Sequence, residues 1–138
     1  MNRIAGQVTT HRVKSSMTKK NINYITLAVF APVLILAGIA GFVVPAQYSL
    51  TSGAPAYNLF HIFFGTVGLN VLWSGKERLI IRFNAVFGLL DLYQALASFL
   101  HLPPEQQFHW TRVDDALHIV IGLLLTIIGC YGLLRPRL

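Results

Sequence analysis

Charge is scarce in this sequence, and acidic charge scarcer still. Of 138 residues 12% are charged and 54% hydrophobic, and only five are Asp or Glu. Soluble domains carry about a quarter charged residues. The single cysteine, Cys130, excludes an intrachain disulfide and a cysteine-based zinc site. It lies in an apolar run and reads as a small packing residue. The chain has no phosphate-binding glycine loop, no H-E-x-x-H pair and no nucleophile motif. Nor does it contain a nucleic-acid-binding module, despite a net charge of +6. These absences argue against an enzyme and against a nucleic-acid partner. The length suffices for one domain.

What the sequence does have is long uncharged stretches. Four spans are expected, at about 24–44, 57–73, 79–102 and 114–134. About 20 apolar residues cross a bilayer core. Pro32 falls inside the first span, which membrane helices tolerate. Tyr57 and Trp73 bracket the second in the manner of an interfacial aromatic belt. The first stretch is too long for the apolar core of a signal peptide and is read as a retained helix. Residues 1–20 form a basic polar tail, and residues 21–138 the transmembrane domain. The fold expected is an all-α, four-helix membrane bundle.

The placement of positive charge sets its orientation. Ten of the eleven Lys and Arg lie in the N-terminal tail, around the turn at Lys76–Arg82, or at Arg135 and Arg137. Only Arg112 lies in the other two connections. Positive residues stay on the cytoplasmic side, so both termini are expected there, with the loops around Ser49 and Gln106 on the far side of a bacterial inner membrane.

The two halves of the chain resemble each other at a fixed offset of 57 residues. Ala28-Val29-Phe30 matches Ala85-Val86-Phe87, His61-Ile62 and Gly65 match His118-Ile119 and Gly122, and Gly75 and Arg78 match Gly132 and Arg135. The unit is a two-helix hairpin used twice. An even number of spans re-enters in the same orientation, so the expected symmetry is a pseudo-two-fold axis along the membrane normal.

Two sets of residues are candidates for chemistry. Asn58-x-x-His61 and Asp115-x-x-His118 each place a polar residue and a histidine on one helical face. His61 and His118 facing each other would suit a haem or chlorophyll, or a proton relay. Alternatively each makes an interhelical hydrogen bond, with Asn58, Asp115 or Gln94 as partner. The second set is a stripe on the third span: Asn84, Asp91, Gln94, Ser98 and His101. A charge at Asp91, near mid-span, costs several kcal/mol unless it is protonated or paired. Its readings are a protonated hydrogen-bonded side chain, a relay or transport group, and a contact with another subunit. Small residues at Gly122, Gly129, Gly132, Ala37 and Gly41 mark helix contacts.

The N-x-x-H-x-x-x-G of Asn58–Gly65 and the Asp114-Asp115-Ala116-Leu117-His118 start of the fourth span resemble a family of small four-helix bacterial membrane proteins catalogued as a domain of unknown function. More distantly the chain is similar to DoxX-like four-helix proteins, some of them associated with respiratory oxidoreductases. The resemblance implies a four-helix fold and supplies no catalytic residue. The expected role is a non-enzymatic accessory subunit of a larger membrane complex, respiratory or photosynthetic. The alternatives are a small b-type cytochrome or pigment carrier using His61 and His118, and a proton-coupled transporter or channel.

Overall fold

The computed structural model describes residues 21–135. The basic tail 1–20 and residues 136–138 lie outside the described residues. Among the described residues the structure is helical throughout, with no strand. The elements are α1 (Ile22–Val43), a 3-10 turn (Ala46–Tyr48), α2 (Pro55–Trp73), α3 (Glu77–Leu100), the short α4 (Glu105–Phe108) and α5 (Arg112–Leu134).

Local chemistry sets the helix ends. The Asn21 side chain accepts from Tyr24 N at 2.9 Å and caps α1. Pro55 opens α2 at a position where its missing N–H costs nothing. Gly75, at φ +64°, reverses the chain between α2 and α3. His101 takes the left-handed conformation at the end of α3, ahead of Pro103-Pro104, which are joined by a cis bond. Thr111 and Asp114 form a reciprocal capping box at the start of α5.

α1, α3 and α5 are long and apolar enough to cross a membrane. α2 has 19 residues, but Asn58, His61 and Asn70 dilute its apolar character, and it does not stand with the other three on composition. Large apolar side chains cover the outward faces, with Val29 61%, Leu36 64% and Ile127 64% exposed. In water such a surface would aggregate; in lipid it is a solvated face.

The helices pack as two antiparallel pairs, α1 with α2 and α3 with α5. Small residues bring each pair together. A Cβ on Gly65 would sit 2.8 Å from Ala31 O, and one on Gly122 would sit 3.0 Å from Gly88 O. Ala31 and Gly88 lie 57 residues apart, as Gly65 and Gly122 do, so the two pairs make the same close approach at the same register. Lipid offers no hydrophobic drive between helices, so this backbone proximity is what holds a pair. Between the pairs the core is aromatic. Phe87 is buried against Phe30, Phe64 and Phe83 at ring separations of 5.4, 5.3 and 5.6 Å. Leu34 and Leu125 complete this layer, and Leu27, Ala31 and Ile80 form a second towards the basic end of the helices.

The close approach of α3 and α5 generates a test. A Cβ on Gly129 would lie 2.4 Å from Ala85 N, whereas one on Gly53 would meet only Gly41 O, at 3.9 Å. Gly129→Ala is therefore expected to destabilise the protein by about 1–3 kcal/mol through overpacking, seen as a lower melting temperature in mild detergent. Gly53→Ala is expected to leave it unchanged. Equal melting of the two variants would contradict the packing described.

Candidate functional site

Residues 44–54 and 101–111 connect the helices at the end of the molecule opposite the basic turn, and they interlock. Asp114, 1% exposed, is the junction. Its Oδ2 accepts from Thr111 N at 2.8 Å as part of the α5 cap. The same oxygen accepts from Ser52 N, also at 2.8 Å, and Ser52 belongs to the other hairpin. Ser52 Oγ donates to Phe108 O and accepts from Ala54 N. Thr111 Oγ1 lies 2.9 Å from both Asp114 Oδ2 and Leu50 O, so its one proton serves either acceptor. A helix cap in α5 thus also fixes the loop that leads into α2.

Beneath this junction lies an aromatic and imidazole cluster centred on Tyr57, which is 3% exposed. Its ring packs on His61, one turn along α2, with centroids 4.1 Å apart. Its hydroxyl lies 2.8 Å from His118 Nε2 on α5. Phe108 and Trp110 close the cluster from above, with ring centroids 5.4 and 6.5 Å from that of Tyr57. No Cα of α2 comes within 8 Å of one in α5, so the Tyr57 side chain spans a gap between helix backbones. The belt position expected for Tyr57 is not what the structure shows: its ring points inward because the close fit of Gly41 against Asn58 turns this face of α2 towards the interior.

The polar residues singled out in the sequence distribute over three levels. Asn58 donates to Gly53 O at 3.3 Å and packs against Gly41, rather than bonding a histidine. Asp115, 6% exposed, leaves its Oδ1 without a partner, as His118 does its Nδ1. Neither Asn58 nor Asp115 caps its helix: α2 opens on Pro55 with no side-chain cap, and Thr111 with Asp114 caps α5. At mid-height on α3, Gln94 Nε2 donates to Asp91 Oδ1 at 3.1 Å, and both residues are buried. At the basic end, Asn84 Nδ2 donates to Asn23 O and Oδ1, each at 3.0 Å, and Asn23 Nδ2 donates to Ile128 O at 3.1 Å. These bonds join α1, α3 and α5. Ser98 is half-buried and His101 exposed. Both line a shallow cleft of about 390 Å³ with Trp110, Arg112 and Asp115.

His61 and His118 are therefore brought to one cluster, with Tyr57 against both. A tetrapyrrole between the two imidazoles would have to displace the Tyr57 ring and break its bond to His118 Nε2. Among the described residues, no three His, Cys, Asp or Glu side chains gather so as to hold a metal ion. Sequence reasoning missed Tyr57 as a hub, along with Ser52, Thr111, Asp114 and Asn23. The T-x-x-D of Thr111–Asp114 ahead of an apolar run was a legible signal for the cap.

Removing one partner of a buried hydrogen bond leaves the other unsatisfied, at about 1–3 kcal/mol. Tyr57→Phe is expected to lower stability by that amount. Asp114→Asn, which weakens the cap and the tie to Ser52 together, is expected to cost as much and to speed protease cleavage within residues 44–54. Melting and limited proteolysis in detergent read both effects, and wild-type behaviour of both variants would contradict the interlocked loops. No family model, no curated protein and no solved structure matches the chain.

Proposed function

We propose that this chain is a non-enzymatic integral membrane protein of four spans, a structural subunit of a larger bacterial membrane complex. α2 is the fourth span. Its polar residues Asn58 and His61 turn towards α1 and Tyr57, so lipid meets mainly residues such as Leu59 and Phe63, 59% and 61% exposed. The two hairpins form the repeat, and the shared contacts of Gly65 and Gly122 support that reading. The basic residues put both termini on the cytoplasmic side. The resemblance to the small four-helix bacterial family agrees with this architecture.

One observation carries the subunit reading. The buried polar side chains tie helices to one another, while the outward faces are mostly apolar, with Thr66 and Asn70 on α2 as exposed polar exceptions. Among the described residues, little chain lies outside the helices to hold a soluble substrate. Blue native electrophoresis of mildly solubilised native membranes tests this. The chain is expected in a band with other membrane subunits at fixed ratio. Migration solely as a free monomer or homo-oligomer would overturn the reading.

A second reading, proton transfer, is favoured by a specific arrangement. Below the cleft at Ser98 and Asp115 lie His118, Gln94 and Asp91, and four buried atoms there lack partners: Asp115 Oδ1, His118 Nδ1, Gln94 Oε1 and Trp110 Nε1. Buried polar atoms without partners suit ordered water, and a chain of such groups from a cleft to mid-span is the form a proton path takes. Reconstituted in liposomes, the wild type would then pass protons under an imposed potential and Asp91→Asn would not. Equal flux in the two would remove this reading.

A further inference from the structure

A cavity of about 940 Å³ opens at the basic end of the helices, away from the Tyr57 cluster. Three arginines line it: Arg78 and Arg82, one turn apart on α3, and Arg135 at the end of α5. Arg78 and Arg135 are equivalent positions of the 57-residue offset, so the cavity gathers the same basic residue from each half of the chain. Among the described residues, none of the three guanidinium groups has a hydrogen-bond or ion-pair partner. Glu77 is the one acid in the lining, and its carboxylate accepts from the Asn21 amide. The charge left over is positive. α3 also begins here, with no side chain capping its first turn, so its open N–H groups and helix dipole add to the positive potential.

The walls have a second character. Ile22, Ile81 and Leu133 line the same cavity. Ile22 and Leu133 are 50% and 54% exposed and continue into the outward apolar faces of α1 and α5. A cationic base at the edge of a spanning segment, opening onto an apolar flank, matches an amphiphile with an anionic head. Guanidinium groups recognise phosphate by paired, charge-assisted bonds.

We propose that this cavity binds a phosphate-bearing anion through Arg78, Arg82 and Arg135. The apolar flank makes the headgroup of an anionic phospholipid the source the site fits; a soluble phosphate is the other.

The test uses the full chain purified in mild detergent, with native mass spectrometry and melting curves. The probes are phosphatidylglycerol, phosphatidylcholine and inorganic phosphate. Phosphatidylglycerol is expected to remain bound and raise the melting temperature, with phosphatidylcholine doing so far less. Each of Arg78→Gln, Arg82→Gln and Arg135→Gln is expected to weaken its binding by about ten-fold, the loss of one charge-assisted contact. Lys76→Gln removes the same charge from a residue outside the lining, and is expected to bind as wild type. Matching elution profiles and melting of the lipid-free variants separate lost binding from lost folding. Binding of inorganic phosphate with the same arginine dependence, and no gain from the lipid, would assign the site to a soluble phosphate. The proposal is overturned if neither probe binds, or if Lys76→Gln weakens binding as much as the arginine variants do.

Discussion

Asp114 accepts hydrogen bonds from Ser52 N and Thr111 N on a single carboxylate oxygen, which also lies within reach of the Thr111 hydroxyl that it shares with Leu50 O. One of these donors lies 62 residues away in the chain, and the other lies in the cap of the helix that Asp114 itself begins. A buried carboxylate is costly unless it is hydrogen-bonded; Oδ2 finds donors on both hairpins in this one arrangement, while Oδ1 has no partner among the described residues. The Tyr57 cluster depends on that arrangement. Phe108 reaches the Tyr57 ring because Ser52 holds its carbonyl. The Tyr57 hydroxyl meets His118 because α5 starts where the cap sets it. The rest of the packing has the same economy. Small residues bring helices close, and a few polar bonds fix their register, as expected where lipid removes the hydrophobic drive for association.

Polar residues divide the molecule into two unlike ends. At the loop end they face inward, with partners or near a small cleft, under a cover of aromatic rings. At the basic end the amides of Asn23 and Asn84 seal the core, while Arg78, Arg82 and Arg135 stand outside that seal without partners among the described residues.

Much of the helical layout was legible in the sequence. The spans read from hydropathy begin and end within two residues of α1, α2, α3 and α5, because Asn21, Pro55 and the Pro103-Pro104 pair are local signals. α2 marks a limit. Its Asn58, His61 and Asn70 keep it out of the set of helices apolar enough to cross a membrane by composition, although Asn58 is buried inside the molecule. The rotation of each helix was not legible. A tyrosine near a helix start suits an interface or a core equally well, and the fit of Asn58 at Gly41, which turns Tyr57 inward, depends on contacts between distant residues. The interlocked loops were hidden for the same reason. Residues 44–54 look like a polar connector until Asp114 is placed against Ser52. The short α4 likewise follows from the Pro104 and Phe108 backbone rather than from any apolar period.

The central claim is that α2 crosses the membrane, making two hairpins with their ends on one side. Single cysteines at Ser49, Ser74 and Gln106, in a Cys130→Ala background, test it with a membrane-impermeant thiol reagent applied to sealed vesicles of known orientation. The account predicts that Ser49→Cys and Gln106→Cys label from one face, and Ser74→Cys only from the other. Labelling of Ser49→Cys and Ser74→Cys from the same face would show that α2 does not cross, and would contradict it.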